Sequence, residues 1–462
     1  MEEQIAALTA ELAAMKDSMA GLNRTTAETF YWLTIPLMVL IHAGFLSYEM
    51  GASRAKNALA SGIKNILAFA FIIPTFYYAG WFIYWAFPTG FTMTPGPIGT
   101  SGWDYAVGAA NPVGQVMGPN VADSATGVFF GAFAMFAATT ASIMSGSLIE
   151  RIRIVGFTIL AIVLGSFVWI LGAAWGWHAD GWLVTSFGYH DFGASGVVHA
   201  IAGFFTLGVL INLGARIGKF NADGTANAIA GHSMPMALVG LMLIIAGFWG
   251  FLMGCVIFPG EPWSWGSGIF HSIYGTPVTL SGMTFNILMG FAGGAIAAWV
   301  MTHDPFWMMS GALGGIISVA AGLDLYWPPM AFVIAMIGGA IMPLVAGYVE
   351  KLRIDDAVGA VALHGVVGLW GVIAVGIFAS GYPALTAEGA PVITLYGQVI
   401  GALVMAALGF IPGYLVSLAL KKLGLLRVPE AAEILGLDKV KVPVEAYPEF
   451  LGAKPAPATP AE

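Results

Sequence analysis

Two histidines in this 462-residue chain stand where water is scarce: His199 in Gly-Val-Val-His-Ala and His364 in Ala-Leu-His-Gly-Val, each inside an apolar run. A polar group at that depth loses its hydration unless it finds a partner, so it is a functional candidate by default. A neutral imidazole carries one N–H and one lone pair and titrates near neutrality, so two of them can hold and pass a proton. The competing reading is structural, with each ring bonded to a carbonyl to fix helix packing. Asp191 precedes His199 by eight residues, and Asp356 precedes His364 by the same interval. Each aspartate stands where a helix N-cap would, and capping alone accounts for either one. Asp191, on the expected outer side, could also stabilise an approaching cation.

The remaining polar residues invite plainer readings. His42 is a lone histidine in the first apolar run, where packing is the simpler role. His178, His190, His232, His271 and His303 lie near loops, where solvation is ordinary. Glu49 either reaches the interface or pairs with Arg54. Trp175, Trp177 and Trp182 beside Asp180 form either a cation-attracting rim or the aromatic belt common at membrane interfaces. The sequence contains no His-Glu-x-x-His, Walker loop, Gly-x-Ser-x-Gly or Cys-x-x-Cys, so nothing asks for an enzyme, a bound metal or a cofactor.

These residues need elements to position them, and composition says which. Apolar residues make up 58% of the chain and charged residues only 9%, against ~25% in a soluble domain. The mean hydropathy is +0.84, and several apolar runs reach the ~20 residues that cross a bilayer. The 62 glycines suit close helix packing in a membrane. A pI near 5.5 and scattered basic residues exclude a nucleic-acid binder, and the single cysteine, Cys255, excludes an internal disulfide. The expected fold is an all-α polytopic membrane protein with about eleven transmembrane helices. They fall near 28–50, 62–87, 125–148, 154–178, 192–214, 234–259, 281–302, 307–323, 327–349, 357–380 and 391–420.

Arg54, Lys56, Lys64, Arg151, Arg153, Arg216, Lys219, Lys351 and Arg353 are assigned to alternate loops. The positive-inside rule then places the N-terminus outside and Lys421, Lys422 and Arg427 in the cytoplasm of a multi-pass protein of the inner (cell) membrane. The Asp–His echo falls in opposite orientations, as two inverted halves require. The resulting division is 27–214 and 232–381 for the halves, 391–420 for a long eleventh helix, and 421–462 for a cytoplasmic tail ending in a disordered Pro/Ala run. Residues 1–26 lack the basic start of a signal peptide. There Ile5, Leu8, Leu12, Met15, Met19 and Leu22 follow 3-4 spacing. That stripe reads either as an amphipathic helix lying on the leaflet or its own bundle, or as a coiled-coil seam between copies.

In this setting several stretches together resemble the Amt/Mep/Rh ammonium transporter family from about residue 30 to 440. They are Gly-Ala-Ser-Arg-Ala-Lys-Asn (51–57), Glu-Arg-Ile-Arg (150–153), Asp-Phe-Gly-Ala-Ser-Gly-Val-Val-His (191–199), Arg-Ile-Asp-Asp (353–356), Leu-His-Gly-Val-Val-Gly (363–368), Gly-Ile-Phe-Ala (376–379), and Arg-Val-Pro-Glu (427–430) followed by Gly-Leu-Asp (436–438). The resemblance implies eleven spans and a homotrimer with one pore per subunit. It also implies a PII-type signal protein as a partner at the cytoplasmic face. His199 and His364 match the twin histidines of the pore, Phe136 and Phe251 the stacked phenyl gate, and Asp191 the acidic residue under the outer recruitment site. Trp177 is matched to the recruitment-site tryptophan.

Departures from the family pattern cluster at that outer site. Ala132 replaces a phenylalanine four residues before Phe136, Cys255 replaces a serine, and Phe248 replaces a tryptophan with Trp249 beside it. Gly359 stands where an aspartate is usual five residues before the second histidine, and the loop around 260–280 is longer. The function implied is recruitment of ammonium, its deprotonation, and passage of ammonia with separate proton transfer. A wider, less polar vestibule raises the alternative of a bulkier amine cation, and a sensing role reported to a cytoplasmic partner is the third reading.

Overall fold

The computed structural model describes residues 1–93, 125–257, 270–383, 389–442 and 444–448. The described residues form a mostly helical bundle. Ten of its segments are long and apolar enough to cross a membrane. The first helix, α1, runs unbroken over Glu2–Ala52. After α2 (Ala58–Thr75) and α3 (Trp81–Ala86) come α4 (Ala125–Ser147), α5 (Ile154–Val163), α6 (Trp169–Gly176), α7 (Trp182–Phe187) and α8 (Ile201–Leu213). The second part of the bundle contains α9 (Met234–Met253), α10 (Leu280–Thr302), α11 (Pro305–Ala320), α12 (Pro328–Lys351), α13 (Val367–Phe378) and α14 (Leu395–Lys422). Two short helices, α15 (Glu430–Leu435) and α16 (Leu437–Lys441), follow. The expected span at 307–323 is α11, whose 16 residues fall short of a full crossing and are mostly buried among other helices.

The polar breaks that divide the sequence are caps. Asp304 accepts N–H bonds from Phe306 and Trp307 at 2.8 and 3.0 Å, with Pro305 at the first helical position. Thr279 and Thr394 accept from Gly282 and Gly397 at 3.1 and 3.0 Å. Inside the bundle, glycine permits backbones to touch: the pro-Cβ position of Gly44 on α1 is filled by the Gly240 carbonyl of α9.

The structure revises four expectations. First, the N-terminal heptads and the first span form one helix. Thr25, Thr26 and Thr29 return their hydroxyls to the carbonyls of Gly21, Leu22 and Thr25 at 3.0, 2.9 and 2.7 Å, so their polarity does not interrupt the turns. Second, Lys64 lies within α2, not in a loop. It is buried, with Nζ 3.0 Å from the Ser145 carbonyl and 3.7 Å from Glu49. Glu49 is therefore not the partner of Arg54, which holds Glu150 through Nε at 2.8 Å.

Third, the fold is not wholly helical. Val256–Ile257, Phe270–Ser272 and Pro277–Val278 pair as a small antiparallel sheet, β1-β2-β3, after α9. The central part of the long loop, 258–269, lies outside the described residues. Fourth, the first half of the expected tail is docked. Asp438 accepts the N–H groups of Leu59 and Ala60 at 3.0 and 2.8 Å, and Glu433 accepts from Ile217 N–H at 2.7 Å and from Arg427 at 2.7 Å. Removing everything after residue 424 would therefore strip packing from the bundle. The Pro/Ala end at 449–462 lies outside the described residues.

Candidate functional site

His199 and His364 meet. Their Nδ1 atoms are 3.0 Å apart, with ring centroids at 5.1 Å and planes inclined by 26°. His199 is fully buried and His364 nearly so. Such a bond needs one N–H and one lone pair. Two neutral rings must then adopt opposite tautomers, which leaves one outward-pointing Nε2 with a lone pair and the other with a proton. Among the described residues His199 Nε2 has no hydrogen-bond partner.

The pair is delivered by the same device twice. Asp191 is followed three residues later by Ala194 in the left-handed region (φ 70°), and Asp356 by Gly359 (φ 75°). Each aspartate then accepts from the N–H five residues on: Gly196 to Asp191 Oδ2 at 2.9 Å, and Val361 to Asp356 Oδ2 at 2.8 Å. Each caps a π-helical turn, Ser195–Ala200 or Val361–Val366, and each turn carries its histidine eight residues after the aspartate. Glycine adopts the left-handed conformation at position 359 without a Cβ penalty, whereas Ala194 holds the same conformation in the first device. Neither aspartate is the N-cap residue itself: Ala194 and Ala360 stand there, and the carboxylates reach the first N–H groups of the turns from upstream.

Backbone contact sets the imidazole spacing. The pro-Cβ position of Gly203, one turn beyond His199, lies against the N and Cα of Gly365. Gly203→Ala is therefore expected to force the two helices apart. Overpacking of this kind typically costs about 1–3 kcal/mol. A lowered Tm together with loss of most of the transport current would bear this out; full current in the variant would refute the close approach as the determinant of the pair.

Above the histidines stand phenyl rings. Phe136 and Phe251 have centroids 4.4 Å apart at an interplanar angle of 68°. They meet edge to face, where a stacked pair was expected. Phe251 lies 5.8 Å from the His199 ring at 28°. Both phenylalanines are fully buried. Phe248 sits deeper than the outer set to which it was assigned, stacked on His199 at 5.6 Å and 11°. As a phenyl it offers that ring an apolar face and no N–H.

The outer residues are partly assembled as expected. Trp177 is buried, lies 5.5 Å from Phe136, and donates its indole N–H to the Asp191 carbonyl at 2.7 Å. Trp175 also turns inward, donating to the Phe87 carbonyl at 3.1 Å, so neither indole behaves as a simple belt residue. Cys255 is buried, with Sγ 3.6 Å from the Phe251 carbonyl. Burial, with the Asp191 and Asp324 charges nearby, raises its thiol well above the ordinary range and keeps it neutral. Ala132 is fully buried, so the missing phenyl opens no route to the surface there, and Phe133 packs 6.0 Å from both Phe136 and Trp177.

Asp191 is fully buried and its Oδ2 is held by Gly196 N–H, by Val197 N–H at 2.7 Å and by the Tyr189 hydroxyl at 3.2 Å. Its Oδ1 has no partner among the described residues. Burial pushes the carboxyl up to about 6, against the pull of those donors. In Asp356, by contrast, Oδ1 takes the Ser147 hydroxyl at 2.6 Å and the Gly359 N–H at 3.0 Å. The repeated aspartates therefore differ: one keeps a vacant oxygen and the other is saturated.

Two buried groups escaped the sequence reading. His190 is completely buried, with Nε2 3.0 Å from Asp324 Oδ1 and its ring stacked on Tyr274 at 4.2 Å. Tyr274 in turn accepts the Asp191 N–H at 3.0 Å, so the His–Asp couple braces the residue next to the outer carboxylate. Asp324 is the sole Asp, Glu, Lys, Arg or His between Asp304 and Glu350, a signal that could have marked it. His178 is likewise buried, against Tyr84 and Trp85 at 5.1 and 5.0 Å. His42 does pack, edge-on to Phe69 at 4.9 Å.

Below His364 lies a chamber of about 10 Å³, lined by Phe45, Tyr48, Ile143, Leu241, Leu313 and Val358 among others. It has room for about one water molecule. Val358 also borders a vestibule of about 550 Å³ on the face that carries Arg216, Lys219, Asp304, Glu350 and Asp356. The small apolar chamber and the polar basin share Val358 in their walls.

Comparison with known proteins gives the family of the chain. The sequence profile of the Ammonium Transporter Family matches residues 29–447. The chain is 32% identical to ammonium transporter Amt2 of Archaeoglobus fulgidus, over 94% of this chain and 93% of that protein. It is 28% identical to ammonium transporter Amt1 of Methanocaldococcus jannaschii, over 91% and 96% respectively. Among solved structures, a sensor Amt protein superposes with a TM-score of 0.74 at 26% identity, covering 91% of this chain and 99% of that one. Mep2 of Candida albicans shares the fold, with a TM-score of 0.66 at 22% identity over 88% and 86%. The chain belongs to the Ammonium Transporter Family.

Proposed function

We propose that this chain moves ammonium across the membrane by separating it into ammonia and a proton at the imidazole pair. The observation that carries the reading is the 3.0 Å Nδ1–Nδ1 contact beneath the Phe136–Phe251 pair, with His199 Nε2 left unpartnered. Ammonium meets the aromatic faces around Trp177 and the vacant oxygen of Asp191, where a cation is attracted without being fully stripped. When it gives up a proton, an imidazole lone pair accepts it. The Nδ1–H···Nδ1 bond then relays a proton from one ring to the other, and the far Nε2–H releases it inward. Neutral ammonia follows through the apolar chamber. K⁺ has no proton to lose and would shed its hydration where no oxygen replaces it.

Two inverted halves, 27–214 and 232–381, place this pair at their interface, a reading supported by the twice-used Asp–π-turn–His device. Each subunit of a homotrimer then carries its own pore, with the N-terminus outside and the vestibule cytoplasmic. The direct test is current from the purified protein in liposomes exposed in turn to ammonium, methylammonium, choline and K⁺. Ammonium current with silence for K⁺ is the expected result. Choline current without ammonium current would overturn the reading in favour of a bulky amine cation.

The buried carboxylate adds a pH dependence. Its raised pKa of about 6 makes Asp191 ionised above that pH and neutral below it. A neutral Asp191 attracts a cation less, so ammonium current should fall as the outer pH drops from 7 to 5. Asp191→Asn should lower the current at pH 7 about tenfold, the scale of one lost charge-assisted contact, and flatten that pH dependence. A variant that kept the wild-type slope would show that another group titrates.

A further inference from the structure

Ile5, Leu8, Leu12, Met15, Met19 and Leu22 occupy the a and d positions of three heptads, and each is 48–64% exposed. The stripe cannot lie flat on a leaflet, because α1 continues without a break into the part packed in the bundle. About 20 residues therefore project roughly 30 Å beyond it. Nor does the stripe belong to its own subunit. The face of α1 buried in the bundle carries Ala27, Tyr31, Thr34, Met38 and Ile41, whereas the heptad register leads onto the exposed Thr29, Leu33 and Pro36.

The flanking charges say what covers the stripe. Glu11 is at g and Lys16 at the following e, a spacing too wide for contact within one helix. In a parallel coiled coil, that g residue faces the following e residue of the neighbouring helix. Copies of one membrane protein enter the bilayer in the same direction, so their α1 extensions are parallel. We propose that the N-terminal helix is a clasp that binds the equivalent helices of further copies of this chain in a parallel coiled coil, with Glu11 of one copy facing Lys16 of the next. Three heptads are marginal in isolation, but tethering by the membrane bundle raises their effective concentration.

The test uses the full chain in liposomes, in which the one native thiol, Cys255, is buried. Met15→Cys at a core position should form intermolecular disulfides several-fold faster under mild oxidation than Asp17→Cys at the outward f position. Equal rates would overturn the clasp, since proximity from the membrane bundle alone does not distinguish the two faces. In the Met15→Cys background, Glu11→Lys should slow cross-linking and a further Lys16→Glu should restore it. Failure of the double reversal to restore the rate would overturn the parallel register. Ammonium current measured on the same liposomes should be unchanged, so a failure here leaves the pore reading standing.

Discussion

Replacing both paired histidines with asparagine, His199→Asn with His364→Asn, is expected to reduce ammonium current by about two orders of magnitude. Asparagine keeps a polar side chain of similar reach but cannot accept and return a proton near neutrality. Proton transfer by a positioned side chain is commonly worth 10²–10⁴ in rate, and the low end applies because ammonia itself still fits the throat. The Nδ1 contact of 3.0 Å makes the two residues one device, so each single variant should lose nearly as much as the double. Initial current slopes in liposomes measure this. A double variant that conducts as the native protein does would mean that the proton never visits the imidazoles.

The second large effect lies in the ion-pair network around Asp355. Arg216 grips Asp355 through Nε to Oδ2 and Nη2 to Oδ1, both at 2.9 Å, and through its own backbone N–H at 2.8 Å. Both residues are buried, and Arg151 Nη2 lies 3.8 Å from the same carboxylate. Removing one partner of a buried pair strands the other charge, at a typical cost of about 3–5 kcal/mol. Asp355→Ala should therefore lower thermal stability sharply, while Arg216→Lys, which keeps the charge but loses the fork, should cost less. Equal Tm values for the native protein and Asp355→Ala would refute the network's structural weight.

The same pair sets an acid limit. Burial alone would raise Asp355, but the Arg216 hydrogen bonds and the Arg151 and Arg216 charges override it and hold the carboxyl well below the usual range. A carboxyl depressed in the folded state contributes its full stability above the unfolded pKa of about 3.9 and loses it as pH falls further. Unfolding in detergent should therefore sharpen below about pH 4 in the native protein and less so in Asp355→Ala. Because Asp355 adjoins Asp356, which caps the second π turn, this network also supports His364.

Much of the site could be read without coordinates because its residues carry signals that do not depend on distance. A histidine in an apolar run, and an aspartate eight residues before it, are visible as letters. So are the Phe136 and Phe251 matches. Other features were invisible for a physical reason. Burial of His190 by Asp324 joins positions 134 residues apart. The polar break at 23–26 looked like a boundary because hydroxyls that satisfy their own helix look the same in sequence as hydroxyls that end one. Lys64 reads as a loop cation until Glu49 and the Ser145 carbonyl are seen beside it.

Hydropathy and motif spacing suffice to mark this chain as a helical membrane protein of the ammonium transporter kind with two histidines in apolar runs. Hydropathy and local spacing act within a few turns of chain, and motifs travel with them. Tertiary structure alone decided that the histidines touch through Nδ1, that Phe136 and Phe251 meet edge to face, that Phe248 lies on His199, and that Asp191 keeps an oxygen free where Asp356 does not. Those are contacts between helices far apart in sequence, set by glycine-level backbone approach and by caps on two widened turns. A shift of about one ångström between the two histidine-bearing turns would break the Nδ1 hydrogen bond without changing a single residue.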